Sequence, residues 1–160
     1  MKKELQEQLY EKYPKIFRQK DLPMTKTAMC WGISCGDGWY NIIDSLCNHI
    51  QRAVDTPIEM IKYYEERLMS DNLTDAERDF FQDCLEEQKR AAISQIEAVQ
   101  VKEKYGTLRF YTNITTPTVS AIISFANTLS SRTCEKCGKP GELGGKGWVM
   151  TLCSECRSEQ

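Results

Sequence analysis

Four cysteines carry the strongest chemical signal in this sequence. They fall as Cys134-x-x-Cys137 and, after fifteen intervening residues, Cys153-x-x-Cys156. Zinc takes four ligands in a tetrahedron, with sulfur about 2.3 Å from the metal. A Cys-x-x-Cys turn sets two thiolates on one side of that tetrahedron, and a second such turn completes it. Gly138 lets the backbone curl back under the metal. Gly144, Gly145 and Gly147 give a tight connection, and residues 148–152 read as a strand returning to the second pair. Four thiolates close the coordination shell and leave no position for water or substrate. The predicted zinc is therefore structural, supplying folding free energy to a segment too small for its own core. Free thiols or a redox pair would not require this paired spacing.

The other chemistry-bearing residues form weaker sets. Cys30, Cys35, Cys47 and His49 offer four ligands by type, but Cys47 and His49 are two apart in a predicted helix and point to different faces. The set reads as a buried Cys47 with loop thiols, not a second metal site. Lys102 and Lys104 share a strand face with Arg109 and Tyr111 of the same predicted hairpin. Such a face can hold a phosphate and stack a base. The ordinary reading is a solvated outer surface whose lysines blunt an edge strand. Trp39 and Trp148 read as core or module-docking residues, with ligand stacking as the alternative role. Cys35-Gly36-Asp37-Gly38 places glycines at a helix start, which suggests an anion site, but the Asp37 carboxylate already occupies the donor end. No catalytic constellation emerges, because His49 is the only histidine and has no acid or nucleophile partner by spacing.

The elements that must position these residues follow from periodicity. Leu5, Leu9 and Tyr13 make a helical stripe that stops at Pro14, and Ile16 and Phe17 form an apolar plug. Residues 20–37 read as loop with a short extended piece. Asp37 is the expected N-cap of a helix burying Trp39, Ile42, Ile43, Leu46 and Ile50. Thr56-Pro57-Ile58-Glu59 predicts a fresh helix to about Met69 with Ile58, Ile61 and Leu68 inward. Thr74-Asp75-Ala76-Glu77 predicts another, to about Glu97, with Phe80, Phe81, Cys84, Leu85, Ala92 and Ile96 inward. Residues 56–97 thus read as a helical hairpin. Period-two alternation over 99–111 around Gly106 predicts a β-hairpin. Thr116-Pro117 opens a last helix with Val119, Ile122, Ile123, Ala126 and Leu129 inward, running into the zinc module at Thr133. The expected fold class is α+β: a helical core with a β-hairpin over 1–132, and a zinc-ribbon or treble-clef-like module over 133–160.

The chain has 160 residues, 41% hydrophobic and 28% charged, which suits one globular domain with a small appendage. No apolar run approaches the roughly 18 residues of a membrane span, and no signal-peptide core is present, so the chain reads as cytosolic. In that compartment eight cysteines favour thiols and metal sites over disulfides. Net charge is −2 but uneven: residues 99–160 hold eight Lys/Arg against five Asp/Glu, and residues 1–98 thirteen against eighteen. Two surplus charges on a four-thiolate zinc site cancel most of the C-terminal excess, so any anion-binding face must be local.

Gly38-Trp39, the stretch from Val101 to Tyr111, Arg132 to Gly138, and Gly147-Trp148 with Thr151-Leu152-Cys153 together resemble a family of small, uncharacterised bacteriophage and prophage proteins. The resemblance covers residues 36–50 and 99–156. It implies a phage or prophage origin and action in the host cytoplasm, and carries over no activity. The expected function is a non-enzymatic zinc-containing binding protein, capturing an anionic small molecule such as a nucleotide or blocking a host protein. Antagonism of host defence enters by analogy with other small phage proteins. The alternative is a nucleic-acid accessory module, favoured if Lys102, Lys104, Arg109 and Lys146 share one face.

Overall fold

In the computed structural model, which describes residues 1–145 and 147–159, the chain is α+β as its patterning predicts. Helix α1 (Lys3–Lys12) buries Leu9. Tyr13, Ile16 and Phe17 follow it into the core. Residues 18–31 are irregular apart from two short 3-10 turns, and strand β1 is only Ile33–Ser34. Among the described residues no helix is long and apolar enough to cross a membrane.

Two helix boundaries depart from the patterning. Helix α2 runs unbroken from Tyr40 to Leu68, with Pro57 inside it. The Thr56-Pro57 start signal is overridden by tertiary packing: Val54 and Pro57 continue the buried stripe of Leu46, Cys47 and Ile50. Ile58, expected inward, is consequently exposed. Helix α3 (Asp75–Ala91) begins as expected, with a reciprocal capping box between Thr74 and Glu77. The Thr74 amide donates 2.9 Å to the Glu77 carboxylate, and the Glu77 amide 3.3 Å to the Thr74 hydroxyl. It ends at Ala91 rather than near Glu97, because residues 92–97 must extend to deliver Ile96 to the core and Glu97 to Arg18 and Gln19. Of its expected inward residues only Leu85 is buried within α3.

The main sheet has the order β1-β2-β3. Strand β2 (Ala98–Lys104) pairs antiparallel with β3 (Thr107–Thr112), and β1 adds parallel to β2. The register sets Val101 opposite Phe110, both buried, and Lys102 opposite Arg109. A bulge between Ala98 and Gln100 lets Ala98 and Val101, three residues apart, both face the core. The two-residue turn uses Tyr105 at φ 54° and Gly106 at φ 73°, the left-handed pair a tight hairpin requires.

Helix α4 (Pro117–Ser130) is capped by the Thr116 hydroxyl, which accepts from the Val119 amide at 3.2 Å. It packs on α2 and β3 through Val119 and Ala126. Leu129, expected inward, reaches the surface. Beyond it, β4 (Glu142–Gly144) and β5 (Met150–Leu152) form a second, two-stranded antiparallel sheet, followed by the five-residue helix α5 (Ser154–Ser158). Cys134, Leu152 and Cys153 make a small core there, separate from the main one.

Candidate metal centre

Each Cys-x-x-Cys pair sits on a chain reversal of the same form. The Gly138 amide donates 2.9 Å to the Cys134 carbonyl, and the Arg157 amide donates 3.0 Å to the Cys153 carbonyl. Gly138 adopts φ 77°, which an L side chain rarely tolerates, so the glycine shapes the first reversal. In the second, α5 begins at once, and its first turn presents the Cys156 amide to Cys153 Sγ at 3.5 Å. The β4–β5 hairpin brings the two reversals together.

The result is one cluster. The four sulfurs of Cys134, Cys137, Cys153 and Cys156 all lie within 4.8 Å of one another, and Cys137 Sγ is 3.6 Å from Cys153 Sγ. A tetrahedral site with bonds near 2.3 Å has sulfur–sulfur edges of about 3.8 Å. The donor set and its spacing therefore fit a tetrahedral, thiophilic divalent ion. Cys134 and Cys153 face inward, Cys156 is half-buried and Cys137 is exposed.

The electrostatics of the thiols point the same way. Burial opposes ionisation of Cys134, yet the Cys153 and Cys137 backbone amides and the Cys137 thiol outweigh it, bringing Cys134 down to about 6. Cys156 is pushed up to about 12, first by its contact with the Cys153 thiol and then by burial. The pocket thus welcomes one thiolate and resists the next, because like charges crowd at one point. A bound divalent cation removes that conflict.

No family model, no curated protein and no solved structure matches the chain.

The module is bonded into the main body at two places. At the first, Glu135 receives the 35–39 segment: its carboxylate accepts from the Gly36 amide at 2.9 Å, and its carbonyl from the Gly38 amide at 2.8 Å. The Trp39 indole N–H adds 2.8 Å to the Thr133 carbonyl. At Gly38 there is no room for a side chain, since a Cβ would overlap the Cys134 carbonyl and the Gly138 amide. At the second, the buried Thr151 hydroxyl donates 2.6 Å to the Gly106 carbonyl in the hairpin turn. Burial raises the Glu135 carboxyl above its usual value, with the Gly36 amide working against that.

These contacts correct one expectation and explain another. Asp37 does not cap α2. Its carboxylate accepts the Lys2 amide at 2.7 Å, a bond that holds it below the usual carboxylate range. The Gly36 amide does meet a carboxylate, but it is that of Glu135 within the same chain, and Gly38 donates to the Glu135 carbonyl instead. Nothing in the local sequence marks Gly36, Gly38, Glu135 and Thr151 as neighbours of the cysteines. The only available signal was the pair of glycines two apart.

The predicted ligand residues separate. Trp39 is fully buried with its N–H satisfied, so no face of its ring is open to a ligand. Lys102, Lys104, Arg109 and Tyr111 share the outer sheet face, with Lys102 Nζ 5.9 Å from the Tyr111 ring centroid. Trp148 is exposed and joins this set only at Lys104, with which, and with Glu103 and Tyr105, it lines a cleft of about 400 Å³ at the hairpin tip. Lys146 lies outside the described residues. Cys30, Cys35, Cys47 and His49 do not converge: among the described residues the only metal-competent group is the C-terminal one. Cys47 is fully buried, while the exposed His49 ring pairs with the Ser45 carbonyl.

Proposed function

We propose that this chain is a non-enzymatic binding protein of phage or prophage origin, acting in the host cytoplasm. A structural zinc ion fixes the C-terminal module, and the outer face of the β1-β2-β3 sheet takes an anionic, nucleotide-like ligand. One observation carries the ligand reading. Lys102, Lys104 and Arg109 lie together on one sheet face, and none of the three forms a salt bridge among the described residues. Glu103 between the lysines turns away, its carboxylate accepting the Gly106 amide at 2.6 Å. Three unneutralised cations beside the Tyr111 ring suit a phosphate and a stacked base.

Thermal shift against nucleotides and cyclic nucleotides tests this. A ligand at one hundred times its dissociation constant should stabilise the fold by about 2.7 kcal/mol, and Lys102→Glu with Arg109→Glu should abolish the shift. No shift with any nucleotide would reduce the face to a solvated edge. A stable complex with one host protein would then replace ligand capture by host-protein blocking.

A second reading rests on the hairpin tip. Tyr105 and Trp148 are 71% and 74% exposed around Lys104, and exposed rings beside a cation are what single-stranded nucleic acid stacks upon. This reading expects oligonucleotides to bind more tightly than mononucleotides, with affinity falling steeply as salt rises.

A further inference from the structure

Trp31 ends the short 3-10 turn Met29–Trp31 and is 62% exposed. Its ring walls a cleft of about 330 Å³ that also takes in Met24, Thr27, Ser34 and Gln100. No charged side chain lines this cleft. The Thr27 hydroxyl is bonded to the Val99 carbonyl at 3.1 Å. The Ser34 hydroxyl, the Gln100 carboxamide and the Trp31 indole N–H have no partner among the described residues. An uncharged hollow with one flat ring and a few free polar groups suits a small aromatic heterocycle.

Strand register places this cleft beside the cations. Ile33 and Val101 pair and are both buried, so the next pair, Ser34 and Lys102, faces outward on both strands. Lys102 lies opposite Arg109 in turn. Ser34, Lys102 and Arg109 thus make one row across the three strands. Two residues back along β2, Gln100 faces the same way, opposite Tyr111 and beside Trp31. Trp31, Gln100 and Tyr111 make a second row, about 7 Å from the first. The first row donates hydrogen bonds and carries two positive charges. The second offers two rings and an amide. A nucleotide has the same order, with phosphate and base held apart by a ribose. A carboxamide sets a donor beside an acceptor, the pair that the N6 and N7 edge of adenine answers. We infer, on the basis of the anion-binding reading of this sheet face, that its ligand is an adenine nucleotide. The base enters the Trp31 cleft against Gln100, and the phosphates lie on Ser34, Lys102 and Arg109.

Titration of the zinc-loaded chain with ADP and with ribose 5-phosphate, which lacks the base, tests this. ADP should bind more tightly and should quench tryptophan emission. Trp31→Ala should weaken ADP by about tenfold or more, the loss expected for one stacked base, and should abolish the quenching. It should leave ribose 5-phosphate affinity, zinc content and the far-UV spectrum unchanged. Gln100→Ala should narrow the preference for ADP over the other nucleoside diphosphates. Trp148→Ala, at the hairpin tip, should leave ADP binding intact. ADP affinity untouched by Trp31→Ala, or matched by ribose 5-phosphate, would overturn the inference while leaving the phosphate-binding face standing. An equal loss in Trp148→Ala would overturn it in favour of the hairpin tip. Binding of neither compound would remove the inference and the anion-binding reading together.

Discussion

The Gly38 amide donates a 2.8 Å hydrogen bond to the Glu135 carbonyl, and Gly38 itself lies flat against the Cys134–Gly138 reversal. A methyl group at this position meets backbone on two sides, which nothing can move aside cheaply. Gly38→Ala should therefore cost about 3 kcal/mol, the upper range for overpacking a close contact, and should weaken metal retention against a chelator. Urea unfolding with a metal-release dye measures both. A variant that melts and holds metal like the wild type would show that the module is not clamped at this point.

Elemental analysis should find about one zinc per chain, the capacity of one four-thiolate site. Cys134→Ser should lose it and release residues 133–156 while the helical hairpin persists. Cys84→Ser, half-buried in α3 and away from the cluster, should keep full zinc content. Protein purified without chelator that contains no metal, with an ordered C-terminal module, would refute the metal assignment.

Pro57 lies deep inside α2, where it denies the Ala53 carbonyl its amide donor. An interior proline costs about 3 kcal/mol relative to alanine. Its ring is buried and it stiffens the unfolded chain, and together these offset about two-thirds of that cost. Pro57→Ala should thus stabilise the fold by about 1 kcal/mol, a rise of a few degrees in Tm. A fall in Tm would mean that packing of the ring outweighs the lost hydrogen bond.

Complete burial drives the Cys47 thiol well above its ordinary value. A raised thiol contributes stability that is fully present below the unfolded pKa, about 8.5, and that drains away as pH climbs from there toward the folded value. The wild type should lose urea resistance as pH rises above that point. Cys47→Ala should flatten this alkaline slope while starting from a less stable fold. An alkaline slope equally steep in the variant would place its origin elsewhere.

Much of this architecture was legible because its signals are local. Thr74 and Glu77 are three residues apart and cap one helix by themselves. Thr116-Pro117 starts α4 in the same way. The paired Cys-x-x-Cys spacing already contains the metal geometry. What escaped was decided at a distance. The start signal at Thr56-Pro57 lost to the core that Val54 and Pro57 jointly fill, which nothing within a few residues announces. The end of α3 was set by Ile96 and Glu97 finding partners near residue 18. Gly36 and Gly38 suggested an anion, and only the fold could reveal that Glu135 supplies it.

Two of the bonds that seat the module span 99 residues at Gly36–Glu135 and 45 at Gly106–Thr151. Closing such long loops costs entropy before any contact compensates it, and contacts of this range form slowly. The self-capped α3 and the tight β2–β3 turn need no such closure and can form early. Metal capture by the four cysteines would then be a late step in maturation. A chain deprived of metal would present the start of α2 and the hairpin tip loosened together, two openings for a protease in one molecule. Metal starvation would accordingly register first as a shortened lifetime of the protein in the cell.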